Sequence, residues 1–130
     1  MKKRYILLLL CAIFILTGCG NTKTLTCTSI DESSALKKYS TLTIEVKENK
    51  IDDMRFVVDI IFPEEYQYQR QSMINEIKTS KPYMQAILIN NGIRLITEDK
   101  NNSFIGIPTD QEITYNELKE VLELQDYTCK

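Results

Sequence analysis

Chemistry in this chain would have to come from cysteines and carboxylates. The 130 residues hold four cysteines, at positions 11, 19, 27 and 129, and eighteen acids, but no histidine and no tryptophan. Without an imidazole there can be no Ser-His-Asp or Cys-His site and no His-ligated zinc. The carboxylates include three adjacent doublets, Asp52-Asp53, Glu64-Glu65 and Glu98-Asp99. Such pairs could in principle supply a glycosidase acid and base or a Ca²⁺ site. Each falls at a turn or a helix start, where a charged doublet is ordinarily just solvated. An EF-hand loop, a glycine-rich phosphate loop, a Walker-type lysine and a Gly-x-Ser-x-Gly elbow are all missing from the pattern. The reading is therefore of no catalytic residue, no metal ligand and no cofactor.

The cysteines say more about place than about reaction. Lys2, Lys3 and Arg4 precede an apolar run over residues 5–16, which ends in Leu16-Thr17-Gly18-Cys19. A basic start, an apolar stretch too short to span a bilayer stably and small residues before a cleavage point make a secretory signal. Leu-Thr-Gly-Cys resembles the lipobox of bacterial lipoproteins, which implies diacylglycerol on the Cys19 thiol and cleavage before it. The expected organisation is a signal peptide over 1–18, a tether over 19–23 and one domain over 24–130. An ordinary signal peptide or signal anchor with an incidental cysteine is the alternative. No second apolar segment of spanning length follows. The expected location is the extracytoplasmic face of the cell membrane, where two or three acyl chains hold far more firmly than one.

Cys11 leaves with the signal and Cys19 carries lipid, so Cys27 and Cys129 remain as one even pair outside the cytoplasm, and a disulfide is the natural reading. Two reduced, buried cysteines are the alternative; a redox pair would be expected as Cys-x-x-Cys. Loss of the signal removes three of sixteen cations and none of the eighteen acids, leaving a formal charge of −5. Acids and bases alternate, with no basic stripe to follow phosphates, so nucleic acid is not an expected partner.

The domain reads as strands and helices in alternation. Residues 24–29 alternate polar and apolar with β-favouring threonines. Leu42, Ile44 and Val46 mark a half-buried strand, and Met54, Phe56, Val58 and Ile60 mark its hairpin partner across the turn at 48–50. Val57 and Ile61 point to the other side, where they are either covered by a second layer or exposed for a partner. Pro63 and Glu64-Glu65 open a helix whose stripe is Tyr66, Arg70, Met73, Ile74 and Ile77, and Pro82 ends or kinks it. Residues 83–90 fit either a helix capped by Gly92 or a hairpin; the helix is preferred. Strands follow over 93–98 and 103–107. Thr114 and Glu117 form a capping box ahead of Leu118, Val121, Leu122 and Leu124, and Tyr127-Thr128-Cys129 closes the chain. This order predicts an α+β fold, a twisted antiparallel sheet with helices packed on one face.

Leu-Thr-Gly-Cys-Gly, the Thr-Leu-Thr-Cys-Thr strand, the hairpin, the central helix and the terminal Asp-Tyr-Thr-Cys-Lys together resemble the YehR-like family of small bacterial lipoproteins. The likeness runs from Leu25 to Lys130 and is most specific at Cys27, Cys129 and the Tyr127-Thr128-Cys129 ending; Pro82 and Ala86-Ile87-Leu88-Ile89 depart from it. That family has no characterised reaction, so the resemblance implies a lipid-anchored, disulfide-tied α+β domain. Two functional classes follow. One is a non-catalytic envelope module, anchored in the membrane and binding a protein or polymer through a sheet face, a helix edge or a platform of Tyr66, Tyr68 and Tyr83. The other is a small carboxylate-dependent envelope hydrolase.

Overall fold

The computed structural model describes residues 22–98 and 110–130. Among the described residues six strands form one antiparallel sheet: β1 (Thr22–Asp31), β2 (Lys37–Lys47), β3 (Lys50–Ile61), β4 (Gln85–Ile89), β5 (Gly92–Thr97) and β6 (Thr128–Cys129). Their order across the sheet is β4-β5-β3-β2-β1-β6. Two α-helices accompany it, α1 (Arg70–Ser80), which continues a 3₁₀ turn over Glu64–Gln69, and α2 (Tyr115–Leu124).

Local chemistry accounts for most of these elements. Alternation in β1, β2 and β3 puts Leu25 opposite Ile44, Cys27 opposite Leu42, and Leu42 and Ile44 opposite Phe56 and Met54. Glu48 and Asn49 both take positive φ, 53° and 59°, the twist a two-residue β2–β3 hairpin loop requires. A register shift between Glu45 and Val46 then lets Val46 face Ile51. Helix α2 carries the expected capping box: Thr114 Oγ1 accepts from the Glu117 N–H at 3.2 Å, and a Glu117 carboxylate oxygen accepts from the Thr114 N–H at 2.9 Å.

Two hydrophobic clusters fill the interior. The larger joins Leu25, Cys27, Leu42, Ile44 and Met54 to Leu118 and Leu122 of α2 and to Cys129. The smaller joins Ile60, Phe62, Ala86 and Ile93 to Ile74 of α1, with Met73 and Ile77 packed against it.

Three expectations need correction. Residues 85–89 are strand β4, not helix, and pair with β5 from Gln85 opposite Ile96 to Ile89 opposite Gly92. Pairing decides this: Gly92 lies so close to β3 that a Cβ would overlap the Ile60 carbonyl oxygen, and its place in the ladder excludes it as a helix cap. The first turn after Pro63 is 3₁₀, and Tyr66 stays exposed instead of joining the core stripe. Leu124, at the end of the α2 stripe, is 86% exposed, because the helix stops there while the core ends at Leu122. The strand expected over 103–107 lies outside the described residues.

Candidate functional site

Because side chains alternate along each strand, the residues between the core positions share the other side of the sheet. Registers align one row across five strands: Ile30 of β1, Tyr39 of β2, Asp59 of β3, Arg94 of β5 and Ile87 of β4. At its centre Arg94 meets Asp59 in a fork, Nε to Oδ1 at 2.7 Å and Nη2 to Oδ2 at 2.8 Å. This bidentate geometry is the strong form of the ion pair and fixes the guanidinium plane. Hydrogen bonding to Asp59, and then its charge, raises the Arg94 pKa.

Apolar side chains surround this pair. Ile30 is 64% exposed, Ile87 46%, and Tyr39 is also exposed. Val57 and Ile96, opposite one another in the row on one side, and Ile61 in the row on the other side are half-buried. Toward β1 the same side turns polar, with Thr26, Thr43 and Arg55 in register and Arg55 Nε 3.3 Å from Glu98. Among the described residues, neither hydrophobic cluster includes a residue of this side. Val57 and Ile61 are thus neither fully covered nor fully exposed.

The two ends of the sheet carry separate hollows. A cleft of about 460 Å³ lies where β1 begins, lined by Lys23, Val46, Glu48, Asn49, Thr114, Tyr115 and Asn116. A shallower hollow of about 260 Å³ at the far end is lined by Ser34, Ala35, Leu36, Tyr66 and Gln69. Tyr68, 77% exposed, accepts from Gln69 Nε2 at 3.0 Å, and Tyr83 is exposed beyond α1. Of the three tyrosines named from sequence, Tyr66 lines one of these two hollows.

Of the sequence-named acids, the doublets Asp52-Asp53 and Glu64-Glu65 do not converge, while Glu98 lies beside Arg55 of β3. Asp52 and Asp53 sit at the start of β3 and Glu64 and Glu65 just past its end, so an extended strand of about 30 Å separates the doublets. Asp53 is used locally, accepting from the Met54 N–H at 2.9 Å. Asp99 lies outside the described residues, as does Cys19. Among the described residues no group of three His, Cys, Asp or Glu could hold a metal ion. No described helix is long and apolar enough to cross a membrane.

Cys27 and Cys129 are joined as a disulfide, with Cα atoms 4.0 Å apart. Thr26 and Lys130 exchange backbone hydrogen bonds at 3.2 and 2.9 Å, so Cys27 and Cys129 occupy the next, non-hydrogen-bonded pair, where facing side chains come closest. Sequence reasoning missed the Arg94–Asp59 fork. The available signal was a pair of opposite charges on the non-core phase of two apolar strands. It also missed Arg70, whose guanidinium donates to the carbonyls of Gln67, Ile89 and Asn90 and so ties α1 to the β4–β5 turn.

Comparison of the chain with family models, curated proteins and solved structures gives no match.

Proposed function

We propose that the chain is a lipid-anchored lipoprotein of the cell envelope, of the YehR-like kind, whose domain binds a protein or polymer partner without catalysis. We also infer that α1 and α2 pack on the same face of the sheet. Strand parity supports this, since Leu25, Leu42 and Met54, which share a cluster with Leu118 and Leu122 of α2, have the same phase as Ile60, Ile93 and Ala86, which share one with Ile74 of α1.

The observation that carries the binding reading is the row Ile30–Tyr39–Asp59–Arg94–Ile87 on the opposite side. Apolar and tyrosine side chains around an oriented arginine are the composition of interaction hot spots. The hydrolase alternative gains no support from doublets held at opposite ends of β3. The lipid anchor rests on Leu16-Thr17-Gly18-Cys19 and on an even cysteine pair in the remainder.

Two measurements test the proposal. Fatty-acid labelling of the full chain should disappear in Cys19→Ala; persistent labelling and membrane retention would sink the anchor. A photo-crosslinking residue at Tyr39 should capture an envelope partner that one at Glu76, on the exposed side of α1, does not. Adding Arg94→Ala should weaken that capture by about 2 kcal/mol or more in affinity. Equal capture from both positions would remove the sheet face as the binding site.

A further inference from the structure

We propose that the end of the sheet where β1 begins seats the domain on a phospholipid headgroup layer, with the Lys23 ammonium and the Tyr115 ring at headgroup depth. The proposal rests on Cys19 being the acylated residue, and adds to it an orientation and a second membrane contact. Three peptide steps separate Cys19 from Thr22, the first residue of β1, so their separation cannot exceed about 11 Å whatever path the chain takes. An acylated cysteine lies at the membrane surface. The Thr22 end of the sheet is then held next to that surface, while ten residues of strand carry Asp31 about 30 Å from Thr22.

The topology gathers a distinct set of groups at that end. Thr22 pairs with Lys47 and Lys23 with Val46, and Lys47 pairs with Lys50 across the turn of Glu48 and Asn49. Lys23, Lys47 and Lys50 are all exposed. The Ile113 N–H donates to the Asn49 carbonyl at 2.7 Å, which draws the start of α2 to the same place and closes one wall of the 460 Å³ cleft. The Lys23 Nζ stands 5.8 Å from the centre of the Tyr115 ring, so cation and aromatic form one unit.

The chemistry of these walls matches a zwitterionic headgroup. Lys23 offers a cation to a phosphate, Glu48 a carboxylate to a quaternary ammonium, and Asn49 and Asn116 offer amides to glycerol and phosphate oxygens. Tyrosine and lysine, each with an apolar body and a polar tip, are residues that settle at a membrane interface. The helix dipole of α2 is not needed, because Thr114 and Glu117 already satisfy donors of its first turn. Seating this end also turns the Tyr66 hollow and Tyr68 away from the membrane.

Lysine footprinting tests the seat. Full-length acylated protein in vesicles of phosphatidylcholine and phosphatidylglycerol would be treated with a water-soluble acetylating reagent and read by mass spectrometry. Cys19→Ala protein lacking residues 1–18, free in solution, is the reference. Lys23, Lys47 and Lys50 should lose reactivity on the vesicles while Lys37 and Lys38, at the far end, keep theirs. In Lys23→Gln, where an exposed side chain is changed without touching the core, protection of Lys47 and Lys50 should fall about fivefold. Equal reactivity at both ends of an acylated, vesicle-bound protein overturns the seat and leaves the anchor standing. Undiminished protection in Lys23→Gln assigns the shielding to the tether alone and also overturns the seat. A chain without an acyl group on Cys19 removes the anchor reading, and the seat with it.

Discussion

The two sides of the sheet are written in the same strands, one residue out of phase, and have opposite fates. On one side Leu25, Leu42, Ile44 and Ile93 are fully buried. On the other, Ile30, Tyr39 and Ile87 remain in contact with water around the Arg94–Asp59 fork. Side-chain type does not explain this, since both sides carry isoleucine. What differs, among the described residues, is the cluster membership: Leu118, Leu122 and Ile74 are grouped with core residues of the first phase. A hydrophobic residue contributes stability in proportion to the area taken from water, so the first side contributes most of the burial that holds the fold.

That contrast can be broken most severely at the covalent tie that closes the packed side. Replacing both Cys27 and Cys129 with alanine, or reducing the bond, should cost about 4 kcal/mol, because the bridge closes a loop with a sequence separation of 102. Denaturant unfolding of oxidised and reduced protein measures it. Next comes the cover itself: Leu118→Ala should cost about 3 kcal/mol, whereas Ile87→Ala on the open side should stay within about 1 kcal/mol. Similar losses at the two positions would mean that the open side is packed.

A smaller effect of opposite sign is expected at Thr97, on the packed side opposite Phe56. Among the described residues its buried Oγ1 has no hydrogen-bond partner, so Thr97→Val should raise stability by about 1 kcal/mol. The smallest effect concerns the cap of α2. Backbone and then side-chain hydrogen bonding from Thr114 holds the Glu117 carboxyl below its ordinary value of 4.5. A depressed folded-state pKa stabilises above the ordinary value and loses that contribution as pH falls through the lower one. The stability difference between the protein and Glu117→Gln, measured by urea unfolding, should therefore shrink on acidification from near neutrality into the strongly acid range. A difference that grows with acid would contradict the cap.

Much of the packed side was readable along the chain. Period-two alternation in β2 and β3 located Leu42, Ile44, Met54 and Ile60, and Thr114 with Glu117 announced the start of α2, because these signals act within a few residues. The disulfide followed from counting cysteines. The segment 85–89 was misread for the opposite reason. Gln-Ala-Ile-Leu-Ile suits either a buried helix or a strand by periodicity, and only the ladder to β5, with Gly92 pressed against β3, selects the strand.

The candidate site belongs to that second category. Residues 30, 39, 59, 94 and 87 are scattered along the chain, and nothing local announces that they form one row; strand order and register alone bring them together. By itself the sequence determined the absence of imidazole chemistry, the Leu16-Thr17-Gly18-Cys19 pattern and the phase of β2 and β3, all carried by residue type and short spacing. Tertiary structure alone decided which phase is buried, that Arg94 meets Asp59, and that Asp52-Asp53 stands apart from Glu64-Glu65, because these depend on contacts between segments far apart in sequence.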